Sequence, residues 1–255
     1  ATAAVAAARL GATTAFAGVV GLDDEGDRII AGLQAEGVDT TAVVRNPHQA
    51  SGVSVIVVST RSQSRAIVTR PGPPVSLPAT GPFRDALESA SWVHVDHWGW
   101  QSVAGIPGLK LSVDAGNPID GFTPADTDLY VPTIERLTAE YGQGPSEPEL
   151  LQRAINDGAR TVVATDGANG SWVHDGTGEA VHIPAHRANI VSTLGAGDVF
   201  HGALLAAVAA NYNLEDAATF AGRIAAASCE GLDGRSAIPH DQILHRSNLP
   251  TPTSN

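Results

Sequence analysis

Methionine is absent from this 255-residue chain, cysteine occurs once, and aromatic residues make up only 5%. A chain without Met, even at position 1, is expected to be a fragment of a longer reading frame. The lone Cys229 excludes an intramolecular disulfide and fits a reducing compartment. It lies in the apolar run 224–229, where packing rather than reactivity is expected. Basic residues are scarce too: 15 Lys and Arg against 27 Asp and Glu leave a formal net charge of -12. That balance argues against a nucleic-acid partner and gives no attraction to anionic membranes. No uncharged apolar run reaches the roughly 18 residues of a bilayer span, and the alanine-rich start lacks a leader's basic region. A cytoplasmic protein is expected, and any anionic substrate must be held by local groups.

What is present is a chain with 43% hydrophobic residues, enough to fill a sizeable core in one large α/β domain or two small ones. Its most informative stretch is 192–203, Ser-Thr-Leu-Gly-Ala-Gly-Asp-Val-Phe-His-Gly-Ala. A glycine turn there opens an apolar helix. The first backbone N–H groups of such a helix are unpaired and its positive dipole end faces outward, which favours a phosphate. Gly195 and Gly197 permit close backbone approach, and Asp198 sits where a carboxylate can orient or deprotonate a hydroxyl. A glycine turn that merely caps a buried helix is the plainer alternative.

The same string resembles the C-terminal signature of the ribokinase-like (PfkB) family of carbohydrate kinases, Asp-Thr-x-Gly-Ala-Gly-Asp-x-Phe-x-Gly-Ala, departing only at Ser192. The resemblance implies that Asp198 is the catalytic base on a sugar hydroxyl and that the amides of Gly195, Ala196 and Gly197 form an anion hole. It implies a mainly parallel sheet with helices on both faces and a small β-lid, within one ribokinase-like domain over 1–255. ATP and Mg²⁺ are the implied cofactors and a sugar or sugar derivative the substrate. Two rival functions stay open at this point: a nucleoside kinase of the same fold, and a non-catalytic sugar or nucleotide sensor.

Along the chain, residues 3–10 form a strong helix stopped by Gly11, 15–20 read as a strand, and Asp23, Asp24 and Glu25 open a helix that ends at Gly37. This part resembles the family's N-terminal signature, Ala-Arg-Leu-Gly leading to Val-Gly-x-Asp-x-x-Gly. The glycine pair and first strand that precede it in the family are missing, and Thr2 stands at the position of a sugar-binding Asn. Residues 50–72 read as a β-hairpin, with strands 52–58 and 65–69 around 59–64. The resemblance makes it a lid and a surface for a homodimer; a plain edge hairpin is equally consistent with the residues.

The strand 92–95 runs into Asp96-His97-Trp98-Gly99-Trp100, whose indoles fit a pocket wall better than a metal site. Asp96 and His97 are candidate sugar contacts. Between Trp100 and the strand 110–114 there is little room for a crossover helix, so the connection is abbreviated or residues are missing. Asp114-Ala115-Gly116-Asn117 resembles the family's Asp-Pro-Asn turn near the phosphates, and its residues are equally ordinary turn formers.

The strand 129–132 matches the one that leads, in the family, to a metal-organising Asn-x-x-Glu. Here Thr133 and Arg136 hold those places, and the adjacent Glu135 is the candidate metal contact. Strand 161–165, the turn 166–170 and strand 171–174 resemble the family's nucleotide loop at Thr165, Gly167 and Gly170, with Thr193 as a further nucleotide contact. Gly222, Ala225 and Ala226, on a helix from 214 to Cys229, leave room for a flat adenine or for close helix packing. A glycine-rich tail, 231–239, precedes a terminus expected to fray from Pro250.

Overall fold

The computed structural model describes residues 1–59 and 64–240, so the hairpin turn at 60–63 and the tail beyond Pro250 lie outside the described residues. Two compact units emerge, one of residues 1–14 with the chain from Ala90 onward, the other Ala15–Ser89. The first helix, α1 (Thr2–Arg9), belongs to the larger unit and ends at Gly11, whose φ of +92° suits the residue after a helix.

The smaller unit holds β1 (Gly18–Gly21), α2 (Asp24–Ala35), β2 (Val43–Asn46), β3 (Val53–Ser59), β4 (Ser64–Arg70) and α3 (Pro82–Ser89). Strands β1 and β2 pair in parallel, while β3 and β4 form the expected antiparallel hairpin. The strand expected from Ala15 starts later, because Ala15 makes only an isolated bridge to Asp39.

The Val20–Gly26 signature is a packing device within this unit. Asp23 caps α2 by accepting the Gly26 N–H at 2.9 Å, and it also accepts the Ser51 N–H at 2.8 Å and the Ser51 hydroxyl at 2.6 Å. A Cβ at Gly26 would be driven into the Gly21 carbonyl oxygen. These hydrogen bonds hold the Asp23 carboxyl below the usual range, the Ser51 hydroxyl contributing most.

In the larger unit, β5 (Val93–Val95), β6 (Leu111–Ala115), β7 (Leu129–Pro132), α4 (Ile134–Tyr141), α5 (Glu147–Asn156), β8 (Val162–Thr165), β9 (Ser171–His174), β10 (Val181–Ile183), α6 (Ala196–Ala209) and α7 (Leu214–Ser228) follow in order. The six strands are arranged β10-β9-β8-β7-β6-β5; β5 to β8 are parallel, and β9 and β10 run antiparallel at one edge. The crossover from β5 to β6 is indeed abbreviated, to a 3-10 turn at Trp100–Ser102.

All four residues of β7 are buried, as a sheet covered on both faces requires. Leu129 and Val131 join Val163, Val173 and Ile183 in a core shared with α1, α6 and α7. Tyr130, between them, points the other way, and the buried Leu150, Leu151 and Ala154 of α5 lie outside that shared core. The expected mainly parallel sheet with helices on both faces is thus observed. Helix α5 and strand β10 were not among the expected elements. The signal for α5 was present as a capping box, Ser146 and Glu149 satisfying each other's backbone N–H groups. No helix among the described residues is long and apolar enough to cross a membrane.

Helix α1 packs on α6 at Gly202, where a Cβ would be forced into the Ala3 carbonyl oxygen. The glycine of the signature therefore serves helix contact. Gly202→Val is expected to lower stability by about 1–3 kcal/mol through overpacking, read by urea denaturation. Gly197→Ala, whose Cβ meets nothing within 4 Å, should leave the midpoint within about 0.5 kcal/mol of the parent.

Candidate active site

The parallel strands end in a row of polar residues: Asp96 just after β5, Asp114 in β6, Thr133 just after β7 and Thr165 closing β8. Thr133 and Thr165 are themselves linked by a parallel bridge. Crevices outside the carboxyl ends of parallel strands are where α/β sheets bind ligands.

The N-terminus of α6 adds the backbone donors. Gly195 adopts the left-handed conformation, φ 73° and ψ 4°, and no side chain caps the helix. The first helical bond runs from the Val199 N–H to the Gly195 carbonyl at 2.9 Å. Among the described residues the amides of Gly195, Gly197 and Asp198 carry no hydrogen bond, whereas the Ala196 N–H leans on the Thr193 carbonyl at 3.3 Å. Space over Gly197 is open, so an anion can approach its backbone.

This turn is braced from behind by the tail. Gly234, with φ +73°, lies so near that a Cβ would strike the Leu194 carbonyl oxygen. The tail is folded by Asp233, which accepts the N–H groups of Arg235 (3.0 Å) and Ser236 (2.7 Å). Arg9 ties it to α1 by donating to the carbonyls of Arg235 at 2.6 Å and Ile238 at 3.2 Å. Thr2 accepts from Arg235 Nε at 3.3 Å, and its methyl lies 3.5 Å from where a Gly195 Cβ would sit. Thr2, Gly195 and Asp198 are thereby brought together.

Asp198 keeps an exposed surface while protein atoms crowd its carboxyl. That partial desolvation raises its proton affinity above the usual carboxylate range, and the charges of Asp114 and Asp96 act in the same direction. Asp96 also has a local task, accepting the N–H groups of Trp98 and Gly99 at 2.9 Å each. The His97 ring packs tilted against that of Trp98, with centroids 4.7 Å apart.

Thr165 closes β8, and the 3-10 turn Gly167–Asn169 follows. Gly170, at φ +103°, has no room for a Cβ beside the Ile183 carbonyl, while Gly167 faces open space. Ala226 lies on the last turn of α7, where Val191 and Ser192 both donate to the Cys229 carbonyl, at 2.8 and 3.0 Å. Ile190, Val191 and Leu232 are each about 60% exposed or more, an exposure that sequence reasoning missed.

Glu135 is exposed on the first turn of α4. Thr133 caps that helix by accepting the Arg136 N–H at 3.0 Å, and Arg136 pairs with Glu140 at 3.3 Å. Among the described residues no group of three His, Cys, Asp or Glu side chains is gathered to hold a metal ion.

A buried polar cluster beside Asp198 was also missed. Nε2 of His201 lies 3.3 Å from Asp114 Oδ2, and the Gly116 N–H donates to Asp114 Oδ1 at 3.0 Å. The His94 ring lies 5.4 Å from that of His201, its Nδ1 3.0 Å from the Ser112 hydroxyl. Burial opposes the charge of Asp114, but the bond and attraction of His201 and the Gly116 N–H outweigh it and hold the carboxyl down at about 2. Desolvation, then repulsion from His201, pushes His94 down to about 3. Nδ1 of His201 is buried without a partner among the described residues, a situation that costs about 1–3 kcal/mol. The signal was the spacing: His201 follows Asp198 by three residues on an otherwise apolar helix.

The family model for pfkB family carbohydrate kinases matches residues 1–105 and 123–241. An uncharacterized sugar kinase of Archaeoglobus fulgidus is 26% identical over 249 residues, covering 91% of this chain and 97% of the relative. Mouse (Mus musculus) ribokinase is 28% identical, covering 94% and 80%. Among solved structures, the ribokinase of Thermotoga maritima superposes with TM-score 0.81 at 22% identity, covering 94% of this chain and 82% of that one. A ribokinase of Cryptococcus neoformans in complex with ADP gives 0.73 at 21%, covering 93% and 84%. A Burkholderia thailandensis nucleoside kinase in complex with inosine gives 0.74 at 18%, covering 93% and 80%. The chain belongs to the pfkB family of carbohydrate kinases and has the ribokinase fold. It is a carbohydrate kinase.

The buried cluster predicts how stability responds to acid. His94 has a folded pKa below its ordinary 6.5, so the unfolded chain binds the extra proton and stability falls as pH drops from about 6.5 towards about 3. Asp114 contributes stability above its ordinary 3.8 that is lost as pH falls through about 2. In denaturation series between pH 7 and 4, His94→Gln should flatten the decline, while Asp114→Asn should leave the slope in that range largely unchanged.

Proposed function

We propose that this protein transfers the γ-phosphoryl group of ATP to a hydroxyl of a sugar or sugar derivative, with Asp198 as the base. The observation that carries this is the joining of one carboxylate to an uncapped helix N-terminus, open over Gly197, at the carboxyl edge of a parallel sheet.

In this reading Asp198 accepts the hydroxyl proton as the oxygen attacks the γ-phosphorus. A carboxyl with the ordinary pKa of ~3.9 is a weak base, and the raised proton affinity of Asp198 improves the match. Orientation contributes the larger share, because phosphoryl transfer asks mainly for alignment and charge stabilisation. The amides of Gly195, Ala196 and Gly197, with the dipole of α6, receive the charge that builds on the transferring group. Thr2, Asp96 and His97 are the proposed sugar contacts.

Thr165, Gly167, Gly170 and Thr193 are proposed to line the phosphates and ribose, and Ala226 with the exposed Ile190, Val191 and Leu232 to receive the base. Mg²⁺ binds nucleotides through phosphate oxygens, water and one or two carboxylates, a donor set compatible with the exposed Glu135. When bound, it would neutralise charge on the β- and γ-phosphates. The 50–72 hairpin, which exposes Val55, Val57 and Val68, is the proposed lid and homodimer surface. The reducing setting suggested by one cysteine supports a cytoplasmic location.

A panel of sugars and nucleosides incubated with ATP, read by ADP release, tests substrate class. Asp198→Asn is expected to lower turnover roughly 10^3-fold while ATP affinity stays within about threefold. Near-normal ADP release from that variant would remove Asp198 from the mechanism.

A further inference from the structure

We propose that Asp114 and His201 form a positioning pair that holds Asp198 and the first turn of α6 in the geometry for proton acceptance; this rests on the reading of Asp198 as base. His201 lies three residues after Asp198 on α6, so the two side chains leave the helix on adjoining positions of one face. From there its Nε2 reaches Asp114 of β6 at 3.3 Å. The other oxygen of Asp114 is engaged by the Gly116 N–H at 3.0 Å. One carboxylate thus ties the turn after β6 to the helix that carries the base.

Packing does not explain an imidazole at this position. His201 is only 6% exposed, among the buried Val199, Phe200, Ala203 and Leu204. An aliphatic side chain would fill such surroundings without a polar atom to satisfy, yet Nδ1 of His201 is buried with no partner among the described residues. A carboxylate only accepts, so the Asp114 oxygen 3.3 Å from Nε2 favours a hydrogen on that nitrogen. His94 flanks the ring from β5 and is itself anchored to Ser112.

The titratable groups that face Asp198 are Asp114 on β6, His201 on α6 and Asp96 after β5. His94 in turn faces both His201 and Asp114. Within this set Asp114 works to raise the proton affinity of the base, and His201 works against it. Removing either member should therefore alter the pH dependence of turnover, which a purely structural contact would not do.

The test measures kcat, both KM values and the pH profile of kcat/KM for Asp114→Asn, His201→Leu and His201→Gln, with folding checked by circular dichroism. The expected result is a kcat reduced tenfold or more in Asp114→Asn and His201→Leu, with KM for ATP and sugar within threefold. The acidic limb of Asp114→Asn should move to lower pH by half a unit or more. His201→Gln, which retains an N–H donor, should recover part of the loss seen in His201→Leu. Folded variants with kcat within twofold of the parent and an unmoved acidic limb would overturn the proposal, as would a rise in KM alone. Should Asp114→Asn fail to fold, the comparison of His201→Gln with His201→Leu decides by the same criteria. Asp198→Asn run alongside separates the two levels: if it stays active the base assignment fails, and if it is inert while the other variants behave as the parent, only the positioning pair fails.

Discussion

Backbone donors at the start of α6 can meet an anion only if nothing in the protein satisfies them first, and the larger unit is built around that constraint. Gly195 turns left-handed where a side-chain cap would otherwise sit. Gly234 presses on the Leu194 carbonyl from behind, and Gly202 lets α1 seat against the same helix two turns along. Arg9 then binds the tail to α1 through two carbonyls. Each contact is a close backbone approach, so the glycines act through the space they leave. The cost of unpaired amides is accepted at one end of a helix whose remaining turns are deeply buried.

Electrostatics follow from the same placement. Asp198 stands where the helix dipole favours an anion, yet crowding and the Asp114 and Asp96 carboxylates oppose its charge. Asp114, a short distance away, is driven in the opposite direction by His201 and a backbone N–H. The two carboxylates are thus pushed to opposite proton affinities by their surroundings.

Much of this was legible from residue order. The 192–203 string announced the helix, its glycine turn and its carboxylate, because all three are local properties of the chain. The parallel strands were readable as β-branched runs bounded by Gly, Asn and Asp, and the hairpin likewise. The Asp114–His201 contact was not, since it joins residues 87 positions apart across β6 and α6. Asp114 by itself reads equally as a turn former, a role it also has through Gly116.

The sequence by itself determined that this chain carries the α6 glycine turn with Asp198, an α/β order of elements, and a tail and α1 rich in small residues. Those features depend on local propensity and spacing, which act over a few residues. Only the tertiary structure decided what those small residues touch, that Thr2 and Arg235 gather behind Gly195, and that a buried imidazole sits between β6 and the helix bearing Asp198. Such pairings depend on distances between elements far apart in the chain, and those distances are set when the two faces of the sheet are covered.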